Sequence, residues 1–235
     1  MLSGNLTYDY VYKFIFIDLN IMKIVSVMPI KLNNERLPGK NTKILVDKPL
    51  INYGLDTLLY VPQIDERFVF CSSKEICKYI PEQIHFLQRD TTLDLPTSNF
   101  NQIFDAFMNE VDADIYVYIH ATAPYIKATS IQDCIEKVAS GKYDSAFTAI
   151  KIQDYLWENG VALNFDPTNL PRSQDLTPIF RETSGVYVFT KEQYLKNHRR
   201  IGDSPYIKEV SIKEAVDINN AEDFKIAEIF YNVNL

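Results

Sequence analysis

An α/β fold with a mostly parallel sheet is predicted by three features of the sequence. Short apolar, β-branched runs recur along the chain, and stretches of helical spacing separate them. The chain has 235 residues, 46% of them hydrophobic, which suffices for one substantial core and favours one elaborated domain over two full ones. Strands alternating with helices of roughly ten residues give a three-layer α/β/α sandwich, because parallel neighbours need crossovers that cover both sheet faces. Such sheets bind ligands beyond the carboxyl ends of their strands, so the loops starting at Ile30, Ser72, His120 and Lys151 matter most.

The elements follow in order. Lys23–Pro29 is a buried central strand ending at proline. After a polar loop, Pro49 opens a helix over Leu50–Tyr60, proline being tolerated in a first turn. Arg67–Cys71 is a strand, Ser72–Tyr79 a helix that its serine can cap, and Ile84–Leu87 a short strand. Ser98–Val111 is helical, and its stripe of Phe100, Ile103, Phe104 and Phe107 reads as core rather than as a ligand box. Asp114–Ile119 is strand, Ser130–Ala139 helix and Ser145–Ile150 strand. The alternation then breaks: Tyr155–Pro178 is rich in turns (Asn159-Gly160, Asp166-Pro167, Pro171) and suggests a hairpin-like insertion. It resumes with strand Gly185–Phe189, helix Glu192–Asn197, strand Glu214–Ile218 and helix Ala221–Tyr231.

Residues 1–21 precede this pattern. Tyr10–Ile17 is apolar but short and interrupted by Lys13. It falls below the ~20 apolar residues of a membrane span and has neither the basic start nor the small-residue cleavage site of a secretion signal. The segment is either an added strand or an extension outside the core fold. A formal net charge of −7 disfavours nucleic acid as a bulk partner, since phosphate-backbone binding needs a basic face. Cys71, Cys77 and Cys134 form no CxxC pair and leave one over if two bond, so a reduced cytoplasm is expected.

Against this acidic background the loop after the first strand is locally basic. Lys31, Arg36, Lys40, Lys43 and Lys48 face only Glu35 and Asp47. Pro38-Gly39 makes a tight turn, and Lys40 after it is expected to project without a packing role. A triphosphate needs such a concentration of donors while its α-phosphorus is attacked; the same composition also suits a solvated loop of ordinary surface lysines. Asp217, before a polar turn, reads either as a turn-capping aspartate or as a ligand for a hard cation. His120, alone at a strand end, reads as a satisfied hydrogen-bonder or a ligand-orienting group, while His85 and His198 lack spaced partners for zinc. No GxSxG, Walker A or GxGxxG motif occurs.

The loop P29-I-K-L-N-N-E-R-L-P-G-K-N41 resembles the nucleotide-binding loop of the CMP-sialic acid synthetase family, which also contains the CMP-Kdo synthetases. The family form is roughly P-A-R-G-G-S-K-R-x-P-G-K-N, and the spacing matches without a gap. Arg36, Pro38, Gly39, Lys40 and Asn41 coincide; Lys31 stands for the first arginine, while Leu32 and Asn33 replace two glycines and Glu35 a lysine. Leu95-Pro-Thr97-Ser98 is similar to the polar segment lining the nucleotide site, and His120-Ala-Thr122-Ala-Pro124 to Q-P-T-S-P. Arg181-Glu-Thr-Ser184-Gly-Val-Tyr187 resembles R-x-N-G-A-x-Y. Asp217-Ile-Asn219 with Glu222-Asp-Phe224 resembles D-I-D-x-x-E-D-F. The likeness runs from about Lys23 to the C-terminus.

The resemblance implies a Rossmann-like nucleotidyltransferase fold over residues 22–235, with a small dimerisation insertion near 151–183 that packs on a second subunit. It implies transfer of CMP from CTP to the anomeric hydroxyl of a 2-keto-3-deoxy sugar acid, sialic or another nonulosonic acid, with release of pyrophosphate. Lys31, Asn33, Arg36, Lys40, Asn41, Thr97 and Ser98 would hold the nucleotide. Lys40, Arg36 and Asp217 would carry the chemistry, and Asp217 and Asn219 would hold Mg²⁺. His120, Thr122, Arg172, Arg181 and Ser184 would contact the sugar, with Arg172 pairing its carboxylate through a bidentate fork. A surface role for Arg172 fits its local sequence equally. A CMP-Kdo synthetase and a catalytically weakened partner subunit are the rival readings, the second because Leu32, Asn33, His120 and Asn219 depart from the family pattern.

Overall fold

The computed structural model describes residues 22–233; the expected extension over residues 1–21 lies outside them. The strands are β1 (Ile24–Ile30), β2 (Ile44–Leu45), β3 (Lys48–Pro49), β4 (Glu66–Cys71), β5 (His85–Gln88), β6 (Ile115–Ile119), β7 (Ser145–Ile152), β8 (Trp157–Glu158), β9 (Val161–Ala162), β10 (Ile179–Thr190) and β11 (Pro205–Glu209). The helices are α1 (Leu50–Leu59), α2 (Phe100–Glu110), α3 (Ala128–Ala139), α4 (Lys191–Asn197) and α5 (Ala221–Tyr231).

Seven strands form the main sheet in the order β11-β7-β10-β6-β1-β4-β5. β1 lies parallel to β4 and β6, β4 to β5, and β11 to β7; only β10 runs antiparallel to its neighbours. The expected three-layer sandwich is therefore present. β1 is almost wholly apolar, and even its Ser26 is buried, because both its faces are covered. Ile24, Met28 and Ile30 join a core shared with Leu55 of α1 and Ile131 and Ile135 of α3, whereas Val25 and Val27 join one beneath α2 and α4. Gly54 lets α1 press onto the sheet, since a β-carbon there would lie 2.8 Å from the Met28 Cε.

The phenylalanine stripe of α2 is core, as its spacing indicates. Phe104 packs edge-on at 4.6 Å from Tyr194 and 5.0 Å from Tyr116, geometry that adds to plain area burial. Asn99 and Gln102 form a capping box at the start of α2, as Asn220 and Asp223 do at the start of α5. A third cluster, with Leu45, Leu50, Ile218 and Phe224, seats α5 against α1 and the loop before it.

Three expectations change. Ser72–Tyr79 is a 3₁₀ turn over Lys74–Tyr79, capped by Ser73; the Ser72 hydroxyl goes instead to Asp94. Glu214–Ile218 forms no strand, so Asp217 does not sit at a strand end. Buried Glu214 accepts from the Lys127 N–H and the Ser130 hydroxyl, serving the start of α3, and Ile218 points into the third cluster. The strand lies earlier, at β11, where proline and charge hide the pattern: Lys208 and Tyr206 both contact Asp133. Finally, β10 begins at Ile179, and Ile179–Glu182 already pair with β7. The end of the expected 151–183 insertion thus belongs to the sheet, and its projecting part holds the small β8–β9 hairpin.

Candidate active site

β1 delivers the chain to the carboxyl edge at Ile30, where the basic loop begins. Gly39 adopts a left-handed φ of 66°, which glycine takes without steric cost, and the chain turns directly into the 3₁₀ turn Lys40–Thr42. The Asn41 amide donates to the Lys31 carbonyl at 2.9 Å, closing the loop on itself. Lys40 does not project. It is 8% exposed, and its Nζ donates to the Ile218 carbonyl at 2.6 Å. Burial lowers its pKa most; Asp217 opposes that shift and Arg36 reinforces it.

That bond joins the basic loop to the segment before α5. There the Asn219 side-chain amide donates to Asp217 Oδ2 at 2.8 Å, and the Asn219 and Asn220 N–H groups donate to Asp223. The Ile218 N–H donates to the Thr122 carbonyl at 2.9 Å, tying in the loop after β6. Three loops from distant parts of the sequence thus meet at one edge. The cleft there is lined by Lys31, Asn34, Arg36 and Lys40 of the basic loop, with Asn219 and, from the loop before α2, Pro96.

Of the residues expected to hold the nucleotide, Lys31, Arg36 and Lys40 line the cleft, and Asn41 closes the loop behind them. Asn34 lines the cleft and has a buried Oδ1 without a hydrogen-bond partner, whereas Asn33 is exposed. The 95–98 segment reaches the cleft through Pro96; Thr97 is exposed, and the Ser98 hydroxyl donates to the Thr92 carbonyl.

On the sugar side, His120 follows β6 and its N–H donates to the Gly185 carbonyl. Its Nε2 is buried with no hydrogen-bond partner. Burial, aided by the charges of Arg200 and Lys40 and opposed by Asp217, pushes its pKa down to about 4, so the ring is neutral near pH 7. Ser184 takes a left-handed φ of 57° within an irregularity of β10 between Glu182 and Tyr187. Counted from Arg181 to Tyr187, the family pattern R-x-N-G-A-x-Y has glycine at this place, which takes that conformation without steric cost. Arg181 is exposed on β10. Arg172 stands apart, held bidentately by Asp175 on an exposed turn, and no hydrogen bond or ion pair joins it to His120, Lys40 or Asp217 among the described residues.

Two arginines escape sequence reasoning. Arg89 is 5% exposed and paired with Asp94, with its Nε buried and unpartnered. Arg200 lies 3.9 Å above the Tyr187 ring and donates to Glu182 at 2.9 Å. Each stands outside any motif, so only the folded arrangement reveals it.

For a divalent cation the donors near the cleft are the Asp217 carboxylate and the Asn219 amide oxygen. No group of three or more His, Cys, Asp or Glu residues able to hold a metal occurs among the described residues. This set fits Mg²⁺, which needs only one or two carboxylates when phosphate oxygens and waters complete its shell.

Several known proteins are similar to the chain over most of its length. The chain is 22% identical over 225 residues to the N-acylneuraminate cytidylyltransferase of Streptococcus agalactiae, covering 90% of this chain but 54% of that protein. It thus spans about half the length of that relative. It is 24% identical to the CMP-N,N'-diacetyllegionaminic acid synthase of Legionella pneumophila, covering 91% of this chain and 98% of that one. The pseudaminic acid cytidylyltransferase of Campylobacter jejuni is also 24% identical, with 91% and 98% covered. The solved structure of a CMP:2-keto-3-deoxy-manno-octonic acid synthetase complexed with CTP superposes with a TM-score of 0.65 at 16% identity, over 89% of this chain and 98% of that one; this likeness establishes the fold. Residues 26–234 match the cytidylyltransferase family, and the chain belongs to that family.

Proposed function

We propose that this protein transfers CMP from CTP to the anomeric hydroxyl of a nine-carbon 2-keto-3-deoxy sugar acid. The observation that carries the reading is the cleft where Lys31, Arg36 and Lys40 face the Asp217–Asn219 segment, in a family member whose full-length relatives are named for legionaminic and pseudaminic acids. In the reaction the sugar oxygen bonds to the α-phosphorus, the bond from that phosphorus to the bridging oxygen breaks, and pyrophosphate leaves. The hydroxyl proton passes to solvent.

Each residue has a physical task. Lys31 and Arg36 neutralise the triphosphate. Lys40 spends one of its three N–H donors on Ile218 and keeps two for phosphate oxygens. Asn41 fixes the loop's shape. Asp217, oriented by Asn219, would hold Mg²⁺, which when bound offsets phosphate charge. Neutral His120, with Thr122 and the Ser184 turn, offers hydrogen bonds to the sugar. The protein acts in the cytoplasm as a homodimer. Its arm carries the cluster of Tyr155, Trp157 and Phe165, with ring separations of 5.0 and 5.3 Å and Trp157 56% exposed, which suits a subunit contact. No helix among the described residues is long and apolar enough to cross a membrane.

The test combines thermal-shift titration against CTP, UTP, ATP and GTP with Mg²⁺ and pyrophosphate release from CTP with four sugar acids: N-acetylneuraminic, legionaminic, pseudaminic and Kdo. CTP should stabilise most, and a nine-carbon acid should be turned over. Equal stabilisation by a purine nucleotide, or no release with any acid, would sink the reading.

A further inference from the structure

We infer that Arg200 is the guanidinium that recognises the carboxylate of the acidic sugar, an assignment that rests on the proposed function. The residue lies in the loop after α4, in no recognisable motif, yet the fold brings it to the site. Its guanidinium sits 3.9 Å above the Tyr187 ring and 5.6 Å from that of Phe100. Tyr187 and Phe100 lead in turn to His120: the His120 ring is 6.1 Å from Tyr187 and 5.2 Å from Tyr118, which packs 5.0 Å from Phe100. Arg200 and His120 therefore stand at two ends of one aromatic cluster at the carboxyl edge of the sheet, beside the irregular stretch of β10 that holds Ser184.

Three properties make Arg200 suited to this task. It is anchored twice, by stacking and by the 2.9 Å bond to Glu182 Oε1, which also accepts from the Tyr187 hydroxyl. A planar fork held this way loses little freedom when it binds. One of its five donors is used, and its guanidinium forms no other hydrogen bond among the described residues, so a bidentate edge remains for a carboxylate. Its charge is also felt within the site: burial lowers the His120 pKa and Arg200 reinforces that shift, while burial raises that of the Tyr118 hydroxyl and Arg200 opposes it. Arg172, by contrast, stands on an exposed turn with its Nε–Nη2 edge already engaged by Asp175.

The decisive measurement compares a sugar acid with its own carboxamide. The acid is whichever of the four named above gives pyrophosphate with wild-type enzyme; if none does, the proposed function fails before Arg200 is tested. Wild type should favour the acid over the amide in kcat/KM. Arg200→Gln should raise KM for the acid about 10- to 100-fold, the scale of a lost charge-assisted contact, leave KM for CTP within about twofold, and erase the preference for acid over amide. Arg200→Lys, which keeps the charge but not the fork, should recover part of that preference. Loss of packing alone would weaken acid and amide equally, so an unchanged acid-to-amide ratio in Arg200→Gln overturns the assignment. So does loss of that ratio in Arg172→Gln while Arg200→Gln retains it.

Discussion

Removing the Lys40 ammonium should damage both the fold and the reaction, and by separable amounts. In the structure Nζ donates to the Ile218 carbonyl at 2.6 Å from a buried position. A hydrogen bond from a charged donor contributes about 1.5–3 kcal/mol net. For a domain of this size each kcal/mol moves the melting temperature by about 2–4 °C, so Lys40→Met, which keeps an apolar stem, should melt roughly 3–12 °C lower. Below that transition the folded variant should still lose turnover, because removing a preorganised donor to transition-state charge costs about 100- to 1,000-fold. Calorimetry and pyrophosphate release at saturating CTP measure the two effects. A variant that melts lower yet turns over at the wild-type rate would show that the lysine is a structural tie and that the loop does not hold the phosphates. Unchanged melting would refute the energetic weight given to the Ile218 bond.

The other perturbations are more local. Because the His120 pKa falls from 6.5 to about 4 on folding, the unfolded chain takes up a proton first as pH drops. Stability is then fully present above about pH 6.5 and lost toward pH 4, by at most ~3 kcal/mol. His120→Asn should flatten that part of a melting-temperature profile between pH 7.5 and 4.5, and an unaltered slope would contradict the buried neutral imidazole. Asn219→Asp replaces the donor to Asp217 with a second carboxylate; it should lower melting without metal, recover with millimolar Mg²⁺, and lower the Mg²⁺ concentration for half-maximal rate. If the magnesium titration does not move, Asn219 only orients Asp217. Trp157→Glu should convert a dimer to monomer in light scattering at micromolar concentration, whereas a wild-type monomer would remove the proposed role of the arm.

How much could be read beforehand differs between the sheet and the site. β1 and β6 are largely apolar and buried on both faces, as is β4 over Val69–Cys71, so burial and sequence carry the same signal there. β11 is an edge strand whose Lys208 and Glu209 interrupt any such run. Ala215-Val216-Asp217-Ile218 imitates a strand, yet its Val216 and Ile218 serve the cluster beneath α5. The cations of the loop after β1 were legible from composition, because a basic cluster in an acidic chain is conspicuous. The choice of Asn34 over Asn33 was not, since it depends on which way one turn faces.

Least legible of all are the bonds that make these residues one site. Lys40 is attached to a backbone carbonyl 178 positions away, and any residue there would supply the same acceptor, so no side-chain pattern announces it. The connection nonetheless has a chemical consequence. Ile218 lies between Asp217 and Asn219, accepts from Lys40 and donates to Thr122. The lysine expected to meet phosphate, the aspartate expected to meet metal and the loop carrying His120 are thus held through a single peptide segment. That segment is fixed by the burial of Ile218 in the cluster beneath α5 and by the capping box at the helix start. Precision at the site therefore derives from the packing of the last helix, whose own residues bear none of the proposed chemistry.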